Sequence, residues 1–185
     1  MSNTTTGGAG TLTLNSGATL DVRDFSNPDD AKTIVLNGGR IGNGYTHNGG
    51  GAQSTVSNPI RVDAASTIDG NNSGFGLRLT IAGALSGAGA LSLASNPGVR
   101  LTGDTSGYTG TATINSGNGV VFNGTNDQVF NGTLAGGNEL FKEGNRNLAL
   151  TGTNSYSGGT EVLGGSLTVN ALSGIGTGYL AVKNG

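Results

Sequence analysis

Short runs in which apolar and polar residues alternate recur along the whole chain. They include TLTL at 11–14, TIVL at 33–36, ALSL at 90–93, TATI at 111–114, NLAL at 147–150 and SLTV at 166–169. A period of two is typical of a strand with one buried face, and Asn, Gly or Ser closes each run, as at tight turns. No window shows a helical period. The pattern therefore predicts an all-β chain built from many very short strands.

Strands this short are not stable alone, so they must pair with others. Self-similarity indicates how they pair, because Leu101-Thr102-Gly103 returns as Leu150-Thr151-Gly152, 49 positions later. We interpret this spacing as two turns of roughly 22–25 residues in a solenoid, with each strand stacked in parallel on its counterpart one turn away. The predicted fold is a right-handed parallel β-helix of roughly eight turns.

Alternation also predicts which side chains form the core of this solenoid. The residues expected to point inward are Leu12, Leu14, Leu20 and Val22. Those expected to point outward are Thr11, Thr13, Thr19 and Asp21. Leu150 and Leu167 are expected to point inward as well. Two stretches break the alternation, one charged at 23–32 and one rich in glycine at 43–59, and we predict that both are loops leaving the solenoid.

Composition supports a folded chain with many turns. Glycine accounts for 37 of the 185 residues, whereas proline accounts for only 3 and charged residues for 11%. Low charge with low proline is unlike a disordered chain, and no Gly-X-Y period indicates collagen. Cysteine is absent, so disulfides do not stabilise this chain.

The segment LTGTNSYSGGTEVLGGSLTVNA at 150–171 resembles the passenger-associated transport repeat, an autotransporter-associated β-strand repeat of bacterial passenger domains. The matching positions are Leu150, Gly152, Asn154, Tyr156, Gly158, Gly159, Thr160, Gly165, Leu167 and Val169. A looser copy at 101–124 keeps Leu101, Gly103, Tyr108, Gly110 and Thr111. The first 80 residues share only the general pattern of short alternating runs with this repeat.

The resemblance implies a β-helical passenger that is secreted or displayed at the cell surface of a Gram-negative-type bacterium, after crossing the outer membrane. Such passengers are associated with adhesion and aggregation. We therefore expect residues 1–185 to be a single β-helix fragment of a longer passenger, acting as a non-catalytic structural or adhesive stalk. Two alternatives stay open: a self-associating β-helix that promotes aggregation or filaments, and a polysaccharide-degrading enzyme.

Candidate catalytic residues are few. His47 is the only histidine and has no second ligand nearby in sequence, so we expect an exposed loop residue and no metal site or cofactor. Glycoside cleavage needs two carboxylates on one face, and the best cluster is Arg61, Asp63 and Asp69, for which a solvated ion pair is the simpler interpretation. Tyr108 and Tyr156 occupy matched positions. There they either stack on sugars, or cover a corner or stack in an aromatic column between turns.

Charge and hydropathy restrict the partners. The net charge is −2 with no basic stripe, so nucleic acid is a poor partner. No apolar run reaches the roughly 18 residues of a membrane span, so no membrane insertion by this segment is expected. Aspartates follow no fixed spacing, so no structural calcium is expected either. Self-association through the ends or edges of the solenoid, and a host-surface or glycan ligand, are the partner hypotheses that follow.

Overall fold

The computed structural model describes residues 9–22, 32–42, 54–70, 79–94, 98–115, 117 and 119–183. Within these ranges the chain forms 21 short strands and one 3-10 turn, and it contains no α-helix. The described part of the chain is therefore all-β, as the alternating pattern predicts.

The strands follow one another at short intervals along the chain. In the first half they are β1 (Thr11–Asn15), β2 (Thr19–Asp21), β3 (Thr33–Asn37), β4 (Arg40–Gly42), β5 (Thr55–Val56), β6 (Ile60–Val62), β7 (Ser66–Asp69), β8 (Leu79–Ile81), β9 (Leu85–Gly87) and β10 (Leu91–Ala94). In the second half they are β11 (Val99–Leu101), β12 (Gly107–Tyr108), β13 (Thr111–Ile114), β14 (Val120–Phe122), β15 (Gln128–Phe130), β16 (Thr133–Gly136), β17 (Glu139–Lys142), β18 (Asn147–Leu150), β19 (Gly159–Val162), β20 (Ser166–Val169) and β21 (Leu180–Val182), with the 3-10 turn at Leu172–Ile175.

Every strand pairs in parallel with a strand two or three places away in the chain, and the paired strands form three faces of a coil. Face 1 is the sheet β1-β3-β6-β9-β12, followed by the sheet β15-β18-β20. Face 2 is β2-β4-β7-β10-β13-β16, and face 3 is β5-β8-β11-β14-β17-β19-β21. The predicted parallel β-solenoid is confirmed, with about seven turns against the roughly eight expected.

The register of face 3 shows that the 49-residue repeat is not two turns. Leu101 pairs with Phe122, and Phe122 pairs with Lys142, so two turns end at Lys142. Leu150 lies one strand further along, in β18 on face 1. The repeat therefore spans seven strands, whereas two turns contain six. Our interpretation of 49 residues as two turns is wrong, because the copies of the motif lie on different faces.

The core is a set of stacked apolar columns inside the coil. Leu14 and Val22 are buried, as predicted, whereas Thr11, Thr13, Thr19 and Asp21 are exposed. Leu20 packs against the core while remaining partly accessible. Leu12 is 39% exposed, although its partner Ile34 one turn on is buried. The difference follows from position, because Leu12 lies in the first described turn and has a strand neighbour on one side only.

The predicted loop at 43–59 ends earlier than the pattern indicated. Residues 55–56 form β5 on face 3, and Ser54, Val56 and Asn58 are buried. Their backbone joins the ladder, since the N–H of Thr80 donates to the O of Ser54 at 2.9 Å. The rest of this loop, and the predicted loop at 23–32 except Lys32, lie outside the described residues.

Face 2 continues beyond β16 without regular strands. The N–H groups of Ser155 and Ser157 donate to the carbonyl oxygens of Leu134 and Gly136, at 2.8 and 2.9 Å. The N–H of Thr177 in turn donates to the O of Tyr156 at 2.9 Å. The tyrosine segment of the repeat motif therefore replaces a strand in the stack.

Candidate functional site

The strongest candidate site is the repeat motif itself, because its residues are the ones that the sequence singled out. Leu101 lies in β11 on face 3 and Leu150 in β18 on face 1, and both are almost completely buried. Leu167 and Val169 pack against the core from β20 and are partly accessible. The motif's leucines thus contribute to the interior columns of three different turns.

The glycines of the motif lie where two turns approach closely. A Cβ on Gly103 would overlap the carbonyl O of Gly83, and a Cβ on Gly152 would overlap the carbonyl O of Gly132. The equivalent glycine therefore has the same role in both copies, since only hydrogen fits beside the neighbouring backbone. Gly158 is packed in the same manner against the backbone of Asn138.

Gly159 has a positive φ and lies against the ring of Tyr179. Its φ is +131°, in the region that L side chains rarely adopt, and a Cβ there would be 2.6 Å from the ring of Tyr179. The phenol of Tyr179 donates to Glu139 at 2.8 Å. This bond to a carboxylate raises the pKa of Tyr179 to about 12.

Asn154 connects three consecutive turns of the solenoid. Its Oδ1 accepts the N–H of Leu134 at 2.8 Å, and its Nδ2 donates to the O of Gly174 at 2.6 Å and to the O of Gly152 at 3.3 Å. The side chain is buried. An amide supplies both an acceptor and two donors, so it substitutes for ladder bonds where regular strand pairing is interrupted.

Tyr156 and Thr160 form a buried hydroxyl pair. The Oγ1 of Thr160 donates to the O of Ile175 at 3.3 Å, so the proton of the 2.5 Å bond between the two hydroxyls comes from Tyr156. Burial is the main cause that raises the pKa of Tyr156. Both side chains are completely buried, so neither is available to a ligand.

Tyr108 is also completely buried, in a different environment. Its hydroxyl donates to the O of Gly89 at 2.9 Å, and its ring packs on Phe130 at a centroid distance of 5.7 Å. Phe130 in turn makes an edge contact with Phe122 at 5.5 Å. Burial raises the pKa of the Tyr108 hydroxyl. The aromatic column is therefore the correct interpretation for this tyrosine, and stacking of either tyrosine on a sugar is wrong.

The acidic cluster at 61–69 consists of ion pairs. Arg61 donates two hydrogen bonds to the carboxylate of Asp63, at 2.8 and 2.9 Å, and these lower the pKa of Asp63. Arg40 donates to Asp69 at 2.6 Å. Each carboxylate thus has its own arginine, on different faces of the solenoid. His47 lies outside the described residues.

Lys142 is a buried charge that the sequence analysis missed. Its Nζ donates to the carbonyl oxygens of Glu143, Gly144 and Gly164, the last two at 3.1 and 3.2 Å. Desolvation lowers its pKa. The signal was present in ELFK at 139–142, because alternation places Lys142 on the same inward side as Leu140.

Clusters of metal-ligating side chains and membrane-spanning helices were both sought in the described ranges. No three His, Asp or Glu side chains converge there on a point that could hold a metal ion. Nor does any helix in those ranges have the length and hydrophobicity to cross a bilayer.

Comparison with known proteins supports the resemblance. Residues 140–169 match the family model of the passenger-associated transport repeat. Over 79 residues, or 41% of the chain, the sequence is 35% identical to the Adhesin BmaC autotransporter of Brucella suis biovar 1 (strain 1330). The match spans 2% of that adhesin's length. No solved structure matches the chain. The predicted autotransporter passenger repeat is therefore confirmed.

Proposed function

We propose that this chain is a structural stalk segment of a secreted or surface-displayed bacterial autotransporter, holding loops or further segments away from the cell. The observation that carries the proposal is that the polar motif residues Asn154, Tyr156 and Thr160 direct their hydrogen bonds to the chain itself, including carbonyls of the next turn. The motif therefore builds the solenoid and presents no reactive group.

The stalk also carries a proposed adhesive function. The relative from Brucella is an adhesin by name, and a solenoid binds most readily through loops at its corners. Both predicted loops follow a strand of face 2, namely β2 and β4. We expect a host-surface or glycan ligand to bind through one or both of these sequence segments.

The stalk proposal is tested by displaying the chain on the surface of bacteria. The chain is placed between an N-terminal epitope tag and an unrelated outer-membrane anchor, and trypsin is added to intact cells. A folded stalk keeps the tag at the surface and resists cleavage, whereas a Leu150→Asp variant is cleaved rapidly because its turn cannot close. Equal rates of cleavage in the two chains would overturn the stalk proposal.

Adhesion is tested separately with the purified chain on cultured host cells. Saturable binding that excess unlabelled chain displaces would support a direct adhesive role. Absence of displaceable binding would restrict the function to display. The Leu150→Asp variant is the control for binding by an unfolded chain.

Self-association is the second candidate function. It is favoured by apolar side chains on the last described turn, where Leu172 is 78% and Val182 is 66% exposed. Sedimentation should then show association that rises with concentration and is weakened by Leu172→Ser combined with Val182→Ser. Thr168→Ser on the same turn is the matched control. A monomer at all concentrations would exclude this candidate.

Catalysis on polysaccharides is not favoured, because the carboxylate of Asp63 is held by Arg61 at the solvent surface. Incubation with acidic glycans should release no reducing ends. Release by the wild-type chain that Asp63→Asn abolishes would establish the enzyme instead.

A further inference from the structure

The first and last described turns of the solenoid carry matching strands on the same face. The first strand of face 1 is β1, and the last is β20, which Asn170 follows. Aligned in parallel, TLTLN at 11–15 and SLTVN at 166–170 agree in residue class at each of the five positions. Neither stretch contains a charged residue, so the two strands present no like charges to each other.

Each of these strands has an edge without a strand neighbour among the described residues. β1 pairs with β3 and β20 pairs with β18, and neither has a second partner strand there. An unpaired edge presents a row of backbone N–H and C=O groups that can template pairing with another chain. The strand pairs of face 1 are all parallel, so β1 of a second copy placed on β20 would continue the same arrangement.

The apolar interior is open at the last described turn. A hollow of about 340 Å³ lies there, with walls that include Leu167, Val169, Leu172, Ile175, Leu180 and Val182. Leu148 and Leu150, the partners of Leu167 and Val169 one turn earlier, are completely or almost completely buried. The accessibility of Leu167 and Val169 therefore follows from the lack of a covering turn in the described part of the chain.

The first described turn has the complementary side chains. Leu12 is 39% exposed on β1, whereas its partner Ile34 on β3 is buried. With β1 of a second copy on β20, Leu12 would lie on Leu167 and Leu14 would lie on Val169. Both interior columns would then pass from one copy into the next without a polar interruption.

An asparagine ladder favours the same register. The Nδ2 of Asn37 donates to the Oδ1 of Asn15 at 2.8 Å, so asparagines already stack at the ends of β1 and β3. Asn170 follows β20 at the equivalent position and is exposed, so Asn15 of a second copy would extend this ladder. A slip of one residue would lose the ladder and turn Leu12 and Leu14 away from the core.

We propose that copies of this chain stack head to tail, with β1 of one copy paired in parallel on β20 of the next, Leu12 on Leu167 and Leu14 on Val169. This stacking is one geometry of the self-association proposed above, and it rests on that proposal. The contact joins two different surfaces, so it repeats along an axis and does not close as a two-fold dimer. The product is a filament in which the solenoid continues from copy to copy.

Disulfide trapping measures this register, because the chain has no cysteine of its own. Thr13 and Thr168 are exposed, and the register places them side by side across the contact. Parallel neighbours about 4.8 Å apart are within the Cα range of a disulfide. We expect a Thr13→Cys chain mixed with a Thr168→Cys chain to form a disulfide-linked dimer when oxidised with diamide.

The matched control mixes a Thr11→Cys chain with the Thr168→Cys chain. Thr11 is also exposed, but it lies two residues along the strand from Thr13. The Cα atoms of positions 11 and 168 would be about 8 Å apart, too far for a disulfide. This mixture should therefore link more slowly by about tenfold or more.

Leu12→Asp gives a second measurement, because this side chain is accessible in the single chain and buried in the stack. The variant should fold, as circular dichroism would show, and should lose the concentration-dependent association that sedimentation detects in the parent. Thr13→Ser on the same strand is the control and should associate like the parent.

Three results would overturn the head-to-tail register. They are no linking of the 13 and 168 mixture, equal rates of linking in the two mixtures, and a Thr168→Cys chain that links to itself as fast as to Thr13→Cys. Any of these in a chain that associates in sedimentation would refute this geometry alone and leave self-association as a function. A chain that stays monomeric at all concentrations would refute both.

Discussion

The solenoid has a region of long turns at 32–94 and a region of short turns at 98–183. In the first, Ile41 pairs with Ile68, 27 positions on, whereas in the second, Leu148 pairs with Leu167, only 19 positions on. The interior columns nevertheless continue through both, as Ile68, Leu93 and Ile114 show on face 2. The stack of strands is therefore insensitive to how many residues a turn contains.

The difference between the regions is concentrated at one corner. Twelve residues separate Gly42 of β4 from Thr55 of β5, whereas two separate Gly136 of β16 from Glu139 of β17. Both connections join face 2 to face 3. Lengthening a connection between strands adds little unfavourable loop entropy, so connections of different length are compatible with the same stack. The connections between strands are shorter in the short-turn region. The family repeat at 140–169 lies in that region.

The largest expected effect is common to both regions. Leu36→Asp in the long turns and Leu150→Asp in the short turns each bury an uncompensated charge in the core. Each should destabilise the fold by about 3–5 kcal/mol or prevent folding. Thermal unfolding by circular dichroism measures this, with the exposed Leu172→Asp as control. A variant that melts like the parent would refute the inward assignment of its leucine.

A buried amide distinguishes the regions. Asn154→Ala removes three hydrogen bonds and leaves the N–H of Leu134 buried without its acceptor. The expected loss is about 2–3 kcal/mol in urea unfolding. Asn37→Ala, in the long turns, removes an exposed bond to Asn15 and should change stability by less than about 0.5 kcal/mol. Equal effects would mean that Asn154 does not hold the turns together.

Close packing at Gly152 gives the next effect. Ala at this position would overlap the carbonyl of Gly132, and the required backbone shift should destabilise the chain by about 1–3 kcal/mol. Gly137→Ala is the control, because a Cβ there meets nothing within 4 Å. If the two variants have the same Tm, the turns are not in contact at this corner.

Removing the hydroxyl of Tyr108 tests the aromatic column and its pH dependence. Tyr108→Phe loses the bond to Gly89 and should cost about 1 kcal/mol at neutral pH. The pKa of Tyr108 is raised in the fold because burial favours the neutral hydroxyl. The folded state keeps the whole of this contribution to its stability below about pH 10, and loses it as the pH rises towards the raised pKa. The variant should therefore lose less stability than the wild type above pH 10. A parallel decline of the two in alkaline melts would contradict the buried hydroxyl.

The smallest effect compares two surface ion pairs. Arg100 and Glu143 lie 2.8 Å apart in the short-turn region, with side chains 30% and 22% exposed. Arg100→Gln should destabilise the chain by a few tenths of a kcal/mol. Arg61→Gln breaks the more exposed pair in the long turns and should leave Tm unchanged within error. A larger loss of stability from Arg61→Gln than from Arg100→Gln would indicate that exposure does not determine how much each ion pair contributes.

Much of the fold follows from local sequence. The runs at 111–114, 147–150 and 166–169 coincide with β13, β18 and β20, because the period of two assigns each side chain to a face without reference to the rest of the chain. The motif glycines were also recognisable. The bonds of Asn154 to Leu134 and Gly174 were not, because the three residues lie in different turns and no local pattern joins them.

The sequence by itself determined the short strands, the side chains that face inward and the repeat that is confirmed at 140–169. Only the tertiary structure decided how the strands stack: three per turn, with Lys142 rather than Leu150 two turns above Leu101. The physical reason is that alternation is a property of neighbouring residues. Which residues stack on one another depends on how many residues each corner contains, and that number differs from turn to turn.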